Sequence, residues 1–375
     1  MVLLSRGREL LAASCCLALT AFASASCGAD EVVTIYPTYG YQHEAAWIIP
    51  VRLWVHERRI VAEAVARKLV ATAGDVSSEE ITNFRSRSLD LLADSESGED
   101  VSLTFDSDSL KEHLHVTDSK GRTPKSDLNG LIEGTISLTQ DRARSLLSAQ
   151  QSQHGWLSLS VASEGHTGHG RVRLVDPEGI SVISDIDDTI KVTEIPAGPE
   201  VIVRNTFLRP YKAAPEMADR YQAWENASFH YVSGGPWQMY DPLAGFLIGG
   251  KAGFPEGSFH MKNVRKNLFS KASWKDLTEL VTSNEHTFDH KVAQITILME
   301  HFPRRKFILV GDSGEKDPEV YREIREKFPM QIQEIWIRDV VNDREKNADR
   351  LVGMRVIPAT TVTPGVSEFC TVPLT

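Results

Sequence analysis

Apolar and polar positions alternate in two blocks of this chain, and the blocks differ in what separates their strands. In the first, Val101-Leu103-Phe105, Ile136-Leu138, Leu157-Leu159-Val161 and Val172-Leu174 repeat every second residue, the period of a half-buried strand. These predict a β-rich domain over residues 26–176. Helical periodicity at 60–73 and 78–93 has no place in a pure sandwich. The turn signal Asp176-Pro177-Glu178-Gly179 closes the block. Beyond it, apolar runs at 181–184, 228–232, 258–261, 306–310 and 333–337 alternate with helical segments, which predicts an α/β domain built on a doubly wound parallel sheet over 177–358. A helix that begins at Lys291 carries Val292, Ile295, Met299 and Phe302 on one face, the stripe of a core-packed helix. About forty residues separate Thr189 from Phe229, and 214–225 reads as a sheet-flanking helix, so only a minimal cap fits there. Residues 359–375, rich in Thr, Val and Pro, predict an extended tail.

The second block places reactive groups where its strands end. Ser181-Val182-Ile183-Ser184-Asp185-Ile186-Asp187-Asp188-Thr189-Ile190-Lys191 delivers two carboxylates, two residues apart, onto a loop. Such a pair can divide the roles of nucleophile, Asp185 ionised, and acid, Asp187 protonated. Alone, Asp-x-Asp-x-Thr also suits ribose or calcium binding. Three later signals supply what phosphoryl transfer needs. Ser233 with Gly234 and Gly235 offers a hydroxyl and open N–H groups for phosphoryl oxygens. Lys291 offers a cation. Asp312, after Phe307-Ile308-Leu309-Val310-Gly311, is a hard oxygen ligand for Mg²⁺, and Asp317 either ligates the metal or orients it. All lie at carboxyl ends of strands or starts of helices, where open α/β sheets bind ligands.

This set resembles the four motifs of the haloacid-dehalogenase-like phosphatases. The resemblance implies Asp185 as nucleophile, Asp187 as acid and base, and Asp185, the main-chain carbonyl of Asp187 and Asp312 as Mg²⁺ ligands. Longer phrases, Gly179 to Lys191, Ser233-Gly234-Gly235-Pro236-Trp237-Gln238-Met239-Tyr240, Phe254 to Lys262 and Val310 to Tyr321, are similar to the actin-patch phosphatidate phosphatase catalytic domain, a relative of the lipin domain, over roughly 177–345. Val33 to Gly40 and Val51 to Val55 look like the segment that precedes this domain in bacterial-type members. The resemblance implies a lipid phosphate substrate, phosphatidate first. Two other functions stay open: an exported acid phosphatase of broad specificity for nucleotides or sugar phosphates, and a non-catalytic lipid-phosphate sensor, which the presence of both Asp185 and Asp187 disfavours.

Composition narrows the partners. The net charge of −10, from 51 acidic against 41 basic residues, argues against nucleic acid and against adsorption to anionic membranes by charge alone. A local basic patch from Lys191, Arg204, Arg209, Lys212, Lys262, Arg265 and Lys266 leaves room for peripheral membrane contact. Trp237, Tyr240, Phe246, Phe254 and Phe259 read as core first and as an acyl-facing rim second. Arg6 and Arg8, an apolar run over 10–23 and Ala23-Ser24-Ala25 form a cleavable secretory signal, 1–25, and predict an exported protein, periplasmic or secreted. Cys27 beyond it allows a lipoprotein anchor, although Ser24 stands where such sites carry Leu. After cleavage Cys27 and Cys370 remain and could pair. His166-Thr167-Gly168-His169 reads as a loop without the ligand number zinc requires. Gly311-Asp312-Ser313-Gly314 lacks the rest of a serine-protease triad, and Gly250-Lys251-Ala252 lacks the hydroxyl of a P-loop.

Overall fold

The computed structural model describes residues 30–58, 76–88, 90–91, 93–250, 252–263, 286–359 and 370–371. The signal segment 1–25, Cys27 and its pairing, the helix expected at 60–73, Lys251, Arg265 and Lys266 lie outside the described residues.

The amino-terminal strands are β1 (Asp30–Ile35), β2 (Thr38–His43), β3 (Ala46–Arg58), β4 (Asp94–Ser95), β5 (Ser102–Phe105), β6 (Leu131–Thr139), β7 (Trp156–Ala162) and β8 (Thr167–Leu174). They form one sheet in the order β1-β3-β2-β8-β7-β5, with β4 and β6 also paired to β3. Alternate residues of β3, Ile49, Val51, Leu53 and Val55, meet Leu103, Phe105, Ile132, Leu157 and Val172 in a closed core. The stretch from His166 to His169, expected as a loop, is mostly strand. A Cβ at Gly168 would lie 1.8 Å from the Val33 carbonyl oxygen, so glycine lets β1 cross β8 while β8 pairs with β7.

Six strands of the second sheet run parallel. Its strands β9 (Ile180–Ser184), β10 (Ser228–Pro236), β11 (Gly257–Lys262), β12 (Lys306–Asp312), β13 (Ile332–Asp339) and β14 (Arg355–Pro358) run in the order β11-β10-β9-β12-β13-β14, and a short β15 (Cys370–Thr371) pairs antiparallel with β14. Two residues of the segment expected as a tail, Cys370 and Thr371, thus pair at the sheet edge. Helices cover both faces, which explains the unbroken apolar runs of the central strands. Val182 and Ile186 pack against Phe207, Tyr221, Leu243 and Phe254 on one side. Ile183 and Leu309 pack against Ile295, Met299, Val320 and Ile324, from the helices Thr287–His301 and Asp317–Lys327, on the other.

The two sheets touch through polar and aromatic contacts. The Tyr39 hydroxyl lies 2.8 Å from His301 Nδ1, and Arg52 donates to the Met261 carbonyl at 2.8 Å. Buried Arg305 donates to the carbonyls of Asp176, Glu178 and Ile180 and to Ser181 Oγ, fastening the connector. The helix Ser78–Ser88 stands apart from the sandwich. Phe84 meets Phe207 edge-on, and Asn83 and Arg87 donate to the carbonyls of Leu208 and Arg209, so it backs the turn of helix that leads to Tyr211.

Candidate active site

The loop after β9 is fixed before any ligand arrives. The Asp185 N–H donates to the Val310 carbonyl on the neighbouring strand at 2.9 Å, and Thr189 Oγ1 donates to Asp185 Oδ2 at 3.1 Å. Asp188 takes a left-handed backbone, φ 54°, and its carboxylate accepts the N–H groups of Thr193, Glu194 and Ile195 at 2.6–2.8 Å. Arg338 donates to the Asp188 carbonyl at 2.6 Å. The third aspartate of the run therefore builds the loop; of the other two, Asp187 lines the adjoining cleft and Asp185 is buried.

Lys291, on the second turn of the Thr287–His301 helix, is buried against three carboxylates. Its Nζ lies 2.9 Å from Asp185 Oδ1, 2.5 Å from Asp317 Oδ1 and 3.2 Å from Glu315 Oε2. Burial alone would lower the lysine, but Asp185, Asp317 and Glu315 raise it well above the ordinary value, so it stays charged. Burial pushes Asp185 up, opposed by Lys291 and reinforced by Asp317, Glu315 and Asp187. Asp187 behaves oppositely. Burial would raise it, but Lys191 Nζ at 2.6 Å and Thr193 Oγ1 at 2.5 Å hold it below the usual carboxylate range. Lys191 thus holds Asp187 ionised, while burial and the neighbouring carboxylates work against the charge of Asp185 despite Lys291 beside it.

Asp312 carries the clearest unmet demand. Its Oδ1 accepts the N–H of Gly314 at 2.6 Å and of Glu315 at 3.3 Å, while Oδ2 is buried without a partner. Burial and then Asp317, Asp185 and Glu315 push its carboxyl well up. One oxygen each from Asp185, Asp312 and Asp317 lies within 4.8 Å of the others. An orphaned carboxylate oxygen on a residue grouped with two more buried carboxylates fits a hard divalent cation. The Asp187 carboxylate turns to Lys191 instead of this cluster.

Ser233 lies inside β10, which runs on to Pro236 past a register shift, and is buried, with its Oγ accepting the Gly235 N–H at 3.0 Å. A Cβ at Gly234 would lie 2.6 Å from Thr287 Cγ2, so glycine admits the start of the helix that carries Lys291. Lys262 donates to Thr287 Oγ1 at 3.3 Å, whereas Lys291 reaches Asp185 itself. Beside these groups opens a cleft lined by the polar Asp187, Lys191 and Glu315, by Gly234 and Gly235, and by the apolar Ile202, Met239 and Leu243 with Tyr211. Trp237, Phe254 and Phe259 are core, so the apolar wall consists of residues other than the aromatic set named from the sequence. Lys191, expected on a surface patch, is 1% exposed.

Glu315, Lys191 and Thr193 were missed as site residues. The four-residue step from Asp187 to Lys191 and the Glu315 inside the Gly311–Asp317 run were the available signals.

Residues 180–339 match the family model described as phosphatidate phosphatase APP1, catalytic domain. Phosphatidate phosphatase APP1 of Saccharomyces cerevisiae is 35% identical over 198 residues, 48% of this chain and 30% of that protein. An uncharacterised protein of Schizosaccharomyces pombe is 32% identical over 178 residues, 46% of this chain and 27% of its own length. The chain thus spans under a third of the length of these curated relatives. The likeness to the phosphatidate phosphatase APP1 catalytic domain is confined to about this segment.

Proposed function

We propose that this protein is a Mg²⁺-dependent phosphomonoester hydrolase that forms an aspartyl phosphate on Asp185, with phosphatidate or a related lipid phosphate as substrate. The observation that carries it is the orphaned Asp312 Oδ2, set with Asp185 and Asp317 around Lys291 beside a cleft with an apolar wall. Asp185, Asp187, Asp312, Glu315 and Asp317 bring five negative charges against two from Lys191 and Lys291. Asp185, Asp312 and, directly or through a neighbour, Asp317 would hold the Mg²⁺, which supplies charge neutralisation for a dianionic substrate.

Asp185 attacks phosphorus and the bond to the leaving alkoxide breaks. Asp187 donates the proton to that oxygen, its carboxyl being driven toward the protonated form by the adjacent phosphoryl charge. Asp187 then takes a proton from the water that cleaves the acyl phosphate. Ser233 and the N–H groups of Gly234 and Gly235 hold phosphoryl oxygens, and Lys291 balances their charge. Ile202, Met239 and Leu243 receive the alkyl part of the alcohol. Export after cleavage at about residue 25 and peripheral membrane contact belong to the same reading. No helix among the described residues is long and apolar enough to cross a membrane.

The test is phosphate release by the purified protein from phosphatidate micelles and from soluble phosphomonoesters, with Mg²⁺ or with EDTA, beside Asp185→Asn. Metal-dependent preference for phosphatidate, lost in the variant, supports the reading. Equal turnover of soluble esters replaces the lipid substrate with a scavenging role, and Asp185→Asn activity at the wild-type rate overturns the site.

A further inference from the structure

We propose that Arg350 is a positioning residue for the metal-binding carboxylate of Asp312, acting through a single peptide unit. It rests on the metal-dependent reading above, and Arg350 lies beyond the 180–339 match.

Arg350 sits in the 3₁₀ turn Ala348–Leu351 and turns its guanidinium back to the loop after β12. Nη1 donates to the Ser313 carbonyl at 2.9 Å and Nη2 to the Glu315 carbonyl at 2.8 Å. Glu319, on the first turn of the Asp317–Lys327 helix, receives Nε at 2.7 Å and Nη2 at 2.9 Å, and Asp343 receives Nη1. Every edge of the planar fork is therefore engaged.

The carbonyl of Ser313 and the N–H of Gly314 belong to one peptide plane and point in opposite directions. Arg350 draws on the oxygen of that plane, and its N–H is the group that holds Asp312 Oδ1 at 2.6 Å. The cation both polarises this N–H and fixes its direction. The second N–H on Oδ1, from Glu315, comes from a residue whose own carbonyl Arg350 also holds. Pinning Oδ1 leaves Oδ2 buried and unpartnered on a residue that groups with Asp185 and Asp317 within 4.8 Å, a set that suits a cation. Lysine presents a point charge without a fork and cannot satisfy Ser313, Glu315 and Glu319 together. Partners that orient a ligating carboxylate are worth about 10- to 100-fold in metal affinity.

The experiment is calorimetric titration of the full chain with Mg²⁺, for the wild type, Arg350→Lys and Glu319→Gln, with circular dichroism as the control for folding. Arg350→Lys is expected to stay folded and to lose about 10- to 100-fold in Mg²⁺ affinity. Glu319→Gln, which frees the arginine without touching the loop, is expected to lose less. In turnover assays the Mg²⁺ concentration for half-maximal rate rises by the same factor, while kcat at saturating Mg²⁺ changes only a few-fold. Wild-type Mg²⁺ affinity in folded Arg350→Lys overturns this proposal alone. A wild-type protein that binds no Mg²⁺ overturns it together with the metal-dependent reading. A wild-type protein that binds Mg²⁺ but cleaves no ester sinks only the hydrolase, and the calorimetric comparison still decides the role of Arg350.

Discussion

Replacing Lys191 with Met keeps a chain of similar length in its slot but removes the cation from Asp187. Lys191 is 1% exposed and the Asp187 side chain 25%, with Nζ and Oδ1 2.6 Å apart. Breaking a fully buried pair costs about 3–5 kcal/mol. A quarter of Asp187 faces the cleft and can be rehydrated, so about 2 kcal/mol is expected here. At about 2–4 °C per kcal/mol this lowers Tm by about 4–8 °C near neutral pH. The sign with pH follows from the aspartate. In the wild type its value is depressed, so its contribution is fully present above the unfolded value of about 3.9 and is lost as the pH falls through the folded value. In the variant, burial acts without Lys191, the value rises, and ionisation opposes folding from about pH 4 upward. The gap in Tm between the two proteins should therefore be widest at pH 7.5 and narrow at pH 4.5. With Asp187 no longer held against Lys191 and Thr193, kcat should fall about 100-fold, the scale of a general acid. Thermal unfolding at both pH values and phosphate release at saturating substrate are the assays. A gap that is absent, or equal at both pH values, refutes the account of Asp187 as an ionised partner of Lys191.

Asp312→Asn removes a carboxylate that burial and three neighbouring carboxylates oppose, so in EDTA it should raise Tm by a few degrees above pH 5 while abolishing phosphate release, and Mg²⁺ should stabilise only the wild type. Gly234→Ala drives a Cβ to 2.6 Å from Thr287 Cγ2, one turn ahead of Lys291; a loss of about 1–3 kcal/mol by denaturant titration and a drop of about tenfold in kcat/KM are expected. Arg305→Met strands the carbonyls of Asp176, Glu178 and Ile180, and urea unfolding should show at least about 3 kcal/mol of destabilisation with kcat of the folded fraction unchanged.

The parallel strands were legible because each is buried on both faces, and an apolar run bounded by Gly, Pro or Asp survives any rearrangement of its neighbours. Asp185, Asp312 and Lys291 were legible because strand ends and a helix start place them without help from distant chain; Lys291 lies 2.9 Å from Asp185, and Asp312 offers an oxygen within 4.8 Å of Asp185. β14 was not legible, since Arg355 to Pro358 is too short to show a period and exists by pairing with β13. The strand through Thr167 to Leu174 was hidden at its start by Gly168 and Gly170, which read as loop and serve as the crossing point for β1. The pairing of Asp187 with Lys191 was hidden for another reason. Two identical side chains on one loop are told apart only by what lies against them, and Lys191 was read as a surface cation.

Residues that react and residues that hold them come from different parts of this chain. Asp185, Ser233, Lys291, Asp312 and Asp317 all fall within the 180–339 segment. The wall of the cleft at Tyr211 does not stand on that segment alone. Arg87, from the helix that precedes β4, lies 3.7 Å over the Tyr211 ring, with Lys191 also over that ring at 5.1 Å. Arg87 also donates to the Thr206 and Arg209 carbonyls that lead into the wall. At the opposite end of the chain, Arg350 holds the loop of Asp312 by the carbonyls of Ser313 and Glu315. Both arginines act on main-chain oxygens, which every residue possesses and which therefore leave no side-chain signature at the receiving position. A motif records the groups that touch phosphorus and metal; it cannot record a contact whose acceptor is a peptide carbonyl. The helix Ser78–Ser88 and the turn at Arg350 thus support the candidate site by contacts that enter only through the fold.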